Sequence, residues 1–314
     1  MVVIFHFSRY NRGLFYSCPL EEVYIGRNIK YKQAYYSGSS YSFESYPQSY
    51  GYSAFYNQSN LTKVTIGKQV TSLPNYLFYK CSNLKSVQLG NKLQEIPAYC
   101  FSECDIALID IPQGVNKIGE YAFDVNKNMI TVKLTPSIRT ISARAFSRCT
   151  SLKYIEFPEG LQTIGYGAFM ETAIPIINIP STVTTIGVNA FQSCKAKQVV
   201  IGNGTTDIGA YAFKGASSLE ECIIGDKVSA INNETFCGCT KLKKLKIGSS
   251  VTTIADAAFA NCTSLESISI PASVTSIGTT AKWSSSDMDG SYLPFHFTGV
   301  RPLNQLFLRM VLPI

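Results

Sequence analysis

Residues 179–194 read IPSTVTTIGVNAFQSC, and the same arrangement returns along most of the 314-residue chain. Its anchor is a phenylalanine recurring every 22 or 23 residues: Phe78, Phe101, Phe123, Phe146, Phe169, Phe191, Phe213, Phe236 and Phe259. Five residues before each stands an aliphatic: Leu73, Ile96, Ile118, Ile141, Ile164, Ile186, Ile208, Ile231 and Ile254. Chance does not hold a register through nine units, and a fixed period of this length marks a stacked repeat. One coil cannot bury its Ile, Val and Phe alone; coils side by side build a continuous core. The repeat therefore overrides the two-domain prior that length alone would set.

The clearest strand portion is LESISIPASVTSI, residues 265–277. Its L-x-x-I-x-I part alternates as a short strand with one buried face, and stacking predicts parallel pairing from coil to coil. The V-x-x-I part (Val183 and Ile186, Val251 and Ile254) is β-branched and predicts a second short extended segment. The A-F-x-x-C part is too short for an independent α-helix, so a 3₁₀ or short helical turn is expected on the convex side. The predicted fold class is an α/β, β-rich solenoid with short parallel strands. It has about ten regular coils of 22–23 residues and a divergent N-terminal pair.

Three regions follow. Residues 1–60 are divergent N-terminal repeats, with Leu20, Val23 and Ile25 as a strand signature and Phe15 and Cys18 echoing Phe-x-x-Cys. Residues 61–282 are the regular repeats. Residues 283–314 form a divergent C-terminal cap or tail, beginning where Lys282 replaces the expected Phe. Phe55 stands 30 residues after Ile25, where Ile66 to Phe78 is 12, so an insertion of 18 residues interrupts the first region, within about 31–52. Eight of the 19 tyrosines lie between Tyr31 and Tyr56, among them Tyr35, Tyr36, Tyr41, Tyr46, Tyr50 and Tyr52. Insertions in repeat proteins map to loops on one face, often the binding face. Tyr with Ser and Gly is also a paratope-like composition. Two readings stand together: a ligand surface, and a folded-back cap over the first coils.

Ten cysteines would ordinarily raise disulfides or metal. Six of them (Cys81, Cys104, Cys149, Cys194, Cys239, Cys262) lie three residues after the repeat Phe, where other units have Asn126, Thr172 or Ala216. A slot accepting Cys, Asn, Thr or Ala is a small buried packing slot holding reduced thiols. Zinc is not expected, because second pairs and nearby histidines are missing. The two histidines, His6 and His296, lie outside the repeats at opposite ends, which disfavours His-based catalysis. GNGTTD (202–207) has two of the three glycines of a dinucleotide fingerprint but lies in a repeat turn. Asp110 and Glu156 fall on outward strand positions two coils apart, about 10 Å, a separation that suits an inverting glycosidase. An open solenoid face supplies no cleft for them. Neither a catalytic residue nor a cofactor or metal is expected.

The outward strand positions form a ladder: Thr65, Gln88, Asp110, Lys133, Glu156, Asn178, Val200, Ile223, Lys246 and Ser269. Two residues earlier stand Leu108, Tyr154, Ile176, Glu221 and Lys244. Such a mixed surface is a plausible protein-binding platform. The candidate ligand-binding residues are Leu108, Lys133, Tyr154, Ile176, Val200 and Ile223, with the six insertion tyrosines. Net charge is +7, and the densest basic group is Lys241, Lys243, Lys244 and Lys246 inside one repeat. It reads as a solvated strand face rather than a nucleic-acid site. No stretch of 18 apolar residues predicts a transmembrane segment, and MVVIFHFSRYNRG lacks the features of an export signal.

Receptor-type leucine-rich repeats place Asn or Cys after L-x-x-L-x-L. Here that slot reads Gln69, Lys92, Gly114, Ser137, Gly160, Thr182, Gly204, Lys227, Ser250 and Ser273. IPSTVTTIGVNAFQSC (179–194) and ISIPASVTSIG (268–278) instead resemble the BspA-like leucine-rich repeat family, over about residues 61–278. VYIGRN (23–28) and AFYNQSNLTKVTIG (54–67) are similar to N-terminal parts of such proteins. The resemblance implies a secreted or cell-surface bacterial protein. It implies adhesion to proteins or glycans of host or neighbouring cells, without catalysis. A structural spacer within a larger surface protein is the alternative, and a carbohydrate-active enzyme the third reading.

Overall fold

The computed structural model describes residues 3–6, 15, 18–32 and 53–278. It falls into two compact units, Met1–Leu161 and Gln162–Ile314. Both are parallel-strand solenoid, with about nine coils of some 23 residues carrying the repeat Phe.

The first unit opens with β1 (Val3–His6), β2 (Glu22–Ile25), β3 (Ile29–Lys32), β4 (Lys63–Ile66) and β5 (Ser86–Gln88). β1 pairs with β3, and β2–β4–β5 form a parallel ladder. Strands Leu108–Asp110, Thr131–Lys133 and Tyr154–Ile155 form the next ladder. In the second unit Ile176–Ile179, Gln198–Ile201, Glu221–Ile223 and Lys244–Lys246 pair likewise. The V-x-x-I segments give two-residue strands, such as Glu95–Ile96, Lys117–Ile118 and Thr140–Ile141 in the first unit. Side chains alternate as the sequence predicts: Leu108 out, Ile109 buried, Asp110 out.

The repeat phenylalanines from Phe78 to Phe236 are fully buried. Within each unit they stack. Phe78 and Phe101 lie 5.5 Å apart at 8°, and Phe191 and Phe213 5.3 Å apart at 4°, in the attractive range for aromatic pairs.

The convex segments differ from the expected 3₁₀ turn, and among the described residues no helix forms. Residues two before and two after each repeat Phe take left-handed backbone angles, as do Tyr99 (φ 56°) and Glu103 (φ 56°) around Phe101. A 3₁₀ helix would turn its N–H groups back into its own coil. Here alternation of hand turns every second one toward the next coil. Tyr99, Phe101 and Glu103 N–H donate to Glu120, Ala122 and Asp124 O at 2.9, 2.9 and 2.8 Å. Between them Cys100 and Ser102 close local turns onto Pro97 and Tyr99. The Phe-bearing side is thus a third hydrogen-bonded ladder, which satisfies the backbone as a sheet would.

The cysteine slot is more specific than a packing slot. Cys81, Cys104, Cys149, Cys239 and Cys262 Sγ–H groups donate to the carbonyls of Phe55, Phe78, Phe123, Phe213 and Phe236 at 3.0–3.3 Å. All ten cysteines are free thiols, eight of them buried. Burial pushes the Cys81 and Cys262 thiols up to about 12 and Cys194 to about 11.

Candidate functional site

The strand faces carry the exposed apolar side chains expected from the ladder. In the first unit Leu108, Thr131 and Tyr154 stand in one register row, and Asp110 and Lys133 in the next. Leu108 is 47% and Tyr154 63% exposed. Lys133 Nζ pairs with Asp110 at 3.1 Å, which holds the lysine's ammonium beside the apolar row. Neither charge is buried, so the pair contributes little to stability and remains open to a partner. Asp110 therefore faces a lysine across the ladder, and Glu156 lies beyond the end of its strand.

The second unit has its own rows. Ile176, Gln198, Glu221 and Lys244 form one; Asn178, Val200, Ile223 and Lys246 form the other. Ile176 and Ile223 are exposed and Val200 half-buried. Lys244 Nζ bonds Glu221 Oε1 at 2.7 Å, and Gln198 Nε2 approaches Glu221 Oε2 at 3.3 Å. Of the expected basic group, Lys244 is engaged with this carboxylate. Each unit thus presents exposed aliphatic or aromatic side chains edged by charge.

Two features escaped the sequence reading. One is Tyr24, on the outward position of β2 in register with Thr65 and Gln88, and 72% exposed. The alternation of VYIG carried that signal. The other is a column of tyrosines two residues before the repeat Phe. Tyr76–Tyr99 and Tyr99–Tyr121 stack at 4.6 and 4.5 Å, with Arg144 over Tyr121 at 5.8 Å. Burial, with the neighbouring phenols and Glu120, raises the Tyr76 and Tyr99 phenols. Their ring faces are occupied by one another, so this column stiffens the convex side. The candidates Tyr35, Tyr36, Tyr41, Tyr46, Tyr50 and Tyr52 lie outside the described residues.

The GNGTTD turn has a packing explanation. A Cβ on Gly202 would lie 2.7 Å from Ile179 O, and one on Gly204 would overlap Ser181 O. These glycines permit coil-to-coil approach. Among the described residues no group of three His, Cys, Asp or Glu side chains is placed to hold a metal, and no helix is long and apolar enough to cross a membrane.

The BspA type leucine rich repeat region, a pattern of six repeat copies, matches residues 48–174 and 162–288. The chain belongs to this family. As a BspA-type leucine-rich-repeat chain it also resembles solved structures. A leucine-rich repeat protein from Bacteroides ovatus is 25% identical, with 72% of this chain and 76% of that chain covered and a TM-score of 0.49. A leucine rich cell surface protein from Faecalibacterium prausnitzii is 24% identical, with 90% and 84% covered and a TM-score of 0.49. The T. pallidum leucine rich repeat protein is 23% identical, with 65% and 77% covered and a TM-score of 0.42. No curated protein matches the chain.

Proposed function

We propose that this BspA-type chain is a non-catalytic, extracellular adhesion module that binds proteins or glycans of host or neighbouring cells through its strand faces. The observation that carries the reading is the pair of in-register anchor rows, Leu108–Thr131–Tyr154 in the first unit and Ile176–Gln198 beside Val200–Ile223 in the second. Solvent exposure of large apolar side chains on a rigid ladder costs free energy that a partner recovers by covering them. The Tyr-rich insertion would add contact area. Family membership supports a binding or structural module, and the same resemblance supports a surface location. The alternative is a spacer within a larger surface protein.

The test is capture from extracellular-matrix and cell-surface extracts by the whole chain, by a variant lacking residues 33–50, and by one bearing Leu108→Asp and Tyr154→Asp. Loss of a captured protein or glycan on strand-face substitution supports the reading. Capture lost on deletion alone would assign recognition to the insertion. No capture by any form would leave the spacer reading.

A further inference from the structure

We infer that the hollow at the ends of β2, β4 and β5 is a binding site for an uncharged pyranose of a glycan. The inference deepens the adhesion reading, resting on it only in taking the strand side as the binding side.

The hollow has a volume of about 420 Å³ and is lined by three successive coils, including Tyr24, Thr65, Gln69, Gln88 and Asn91. That volume lies in the range of small-ligand sites, about 300–1,000 Å³. Its floor is backbone, because Gly26, Gly67 and Gly90 stand in line at the strand ends. Their lack of a Cβ leaves room for the Tyr24 ring. A Cβ on Gly26 would meet Tyr24 Cε1 at 3.0 Å, and one on Gly67 would meet the Tyr24 hydroxyl at 2.9 Å. The Tyr24 ring therefore lies down across both glycines with the rest of its surface in solvent. Asn28 ties the turn after β2 to the next coil: its Oδ1 accepts from Thr71 N at 2.8 Å and its Nδ2 donates to Thr71 Oγ1 at 2.8 Å.

These parts match the chemistry of an uncharged sugar. A pyranose has one face of C–H bonds, slightly positive, and a rim of hydroxyls that both donate and accept. The negative face of a phenol ring attracts the C–H face. Amides and hydroxyls serve the rim in both senses, which a carboxylate or ammonium cannot. Thr65, Gln69, Gln88 and Asn91 surround the ring with such groups. Lys92 Nζ donates to Gln69 Oε1 at 2.8 Å, which orients the amide NH₂. Lys68 is the charged lining residue. The stacked tyrosines make the contrast: at about 4.5 Å their ring faces cover one another, whereas Tyr24 is 72% exposed.

The experiment is saturation-transfer NMR on the full chain with a set of uncharged oligosaccharides built of glucose, galactose, mannose and N-acetylhexosamines, alongside a sialylated and a uronic-acid oligosaccharide. The expected result is transfer to the C–H protons of one pyranose face from at least one uncharged sugar. Tyr24→Ala weakens binding at least about tenfold, and Tyr24→Phe largely restores it. Gly26→Ala lifts the ring without touching the sugar and weakens binding too. Lys127→Ala, an exposed residue outside both the hollow and the strand-face rows, leaves saccharide binding unchanged, and capture of matrix proteins by Leu108→Asp/Tyr154→Asp is followed in parallel, so failure of the adhesion reading is seen separately. No transfer from any uncharged sugar, transfer from the acidic sugars alone, or transfer indifferent to Tyr24→Ala would overturn the assignment.

Discussion

Asn126 Nδ2 donates to the carbonyl of Phe101, on the preceding coil, at 2.8 Å. It does so from the slot where neighbouring coils use a cysteine thiol for the same bond. Its Oδ1 accepts from Ile106 N at 3.2 Å, and its Nδ2 also reaches Phe123 O at 2.9 Å. In these coils the slot holds a small donor, whereas Ala216 fills the same slot by packing alone. Replacing Asn126 with Ala leaves buried backbone groups unpaired, each costing about 1–3 kcal/mol. We expect Asn126→Ala to destabilise the first unit by several kcal/mol in chemical denaturation, and Cys149→Ser, which keeps a donor, to cost less than Cys149→Ala.

The buried thiols set a limit at high pH. Their folded values lie above the ordinary value of 9.0, about 12 for Cys81 and about 11 for Cys194, chiefly through burial. Above pH 9 the unfolded chain releases thiol protons that the folded chain retains. Stability is then full below about pH 9 and falls as pH rises toward 11–12, by about 1.4 kcal/mol per pH unit for each such thiol. Unfolding followed by circular dichroism should steepen between pH 9 and 11. Replacing Cys81 and Cys262 with Thr should move that transition upward.

Val125 holds φ at 62°, a conformation unfavourable for a β-branched residue. Two residues after Phe213 and Phe236 the same position is Gly215 and Gly238. Val125→Gly relieves the strain and raises the entropy of the unfolded chain. The first effect is the larger, about 1–2 kcal/mol against under 1. A higher melting temperature for Val125→Gly is the expected result; a lower one would show that packing of the valine outweighs its backbone.

Phe191 lies between Phe169 and Phe213 at 5.4 and 5.3 Å and is fully buried. Phe191→Ala should cost about 3–5 kcal/mol. In a solenoid the loss falls on nearest-neighbour contacts. Hydrogen exchange should therefore quicken around residues 164–216 before it does so in the first unit.

The strand period, the parallel pairing and the buried phenylalanines were legible because the 22–23-residue repeat fixes which side chains face inward. The outward positions of Leu108 and Tyr154 in the first unit, and of Ile176 and Ile223 in the second, followed from alternation alone. The left-handed residues flanking each Phe were not legible. Tyr99, Glu103 and Val125 have no common side-chain chemistry, and their shared backbone hand arises from bonding between coils. The donor role of the cysteine slot was hidden for a similar reason, since Cys reads as a small apolar residue until the carbonyl opposite it is seen. Tyr24 was passed over because the divergent first coil breaks the spacing just beyond it.

The most direct measurement of the central claim is a binding titration against immobilised extracellular-matrix proteins and a glycan array. It compares wild type with Leu108→Asp/Tyr154→Asp in the first unit and Ile176→Asp/Ile223→Asp in the second, each first shown to be folded. The account predicts that at least one ligand binds the wild type and that one of the two pairs weakens it by at least about tenfold. Equal binding by all three proteins, or no ligand above background for the wild type, would contradict strand-face recognition.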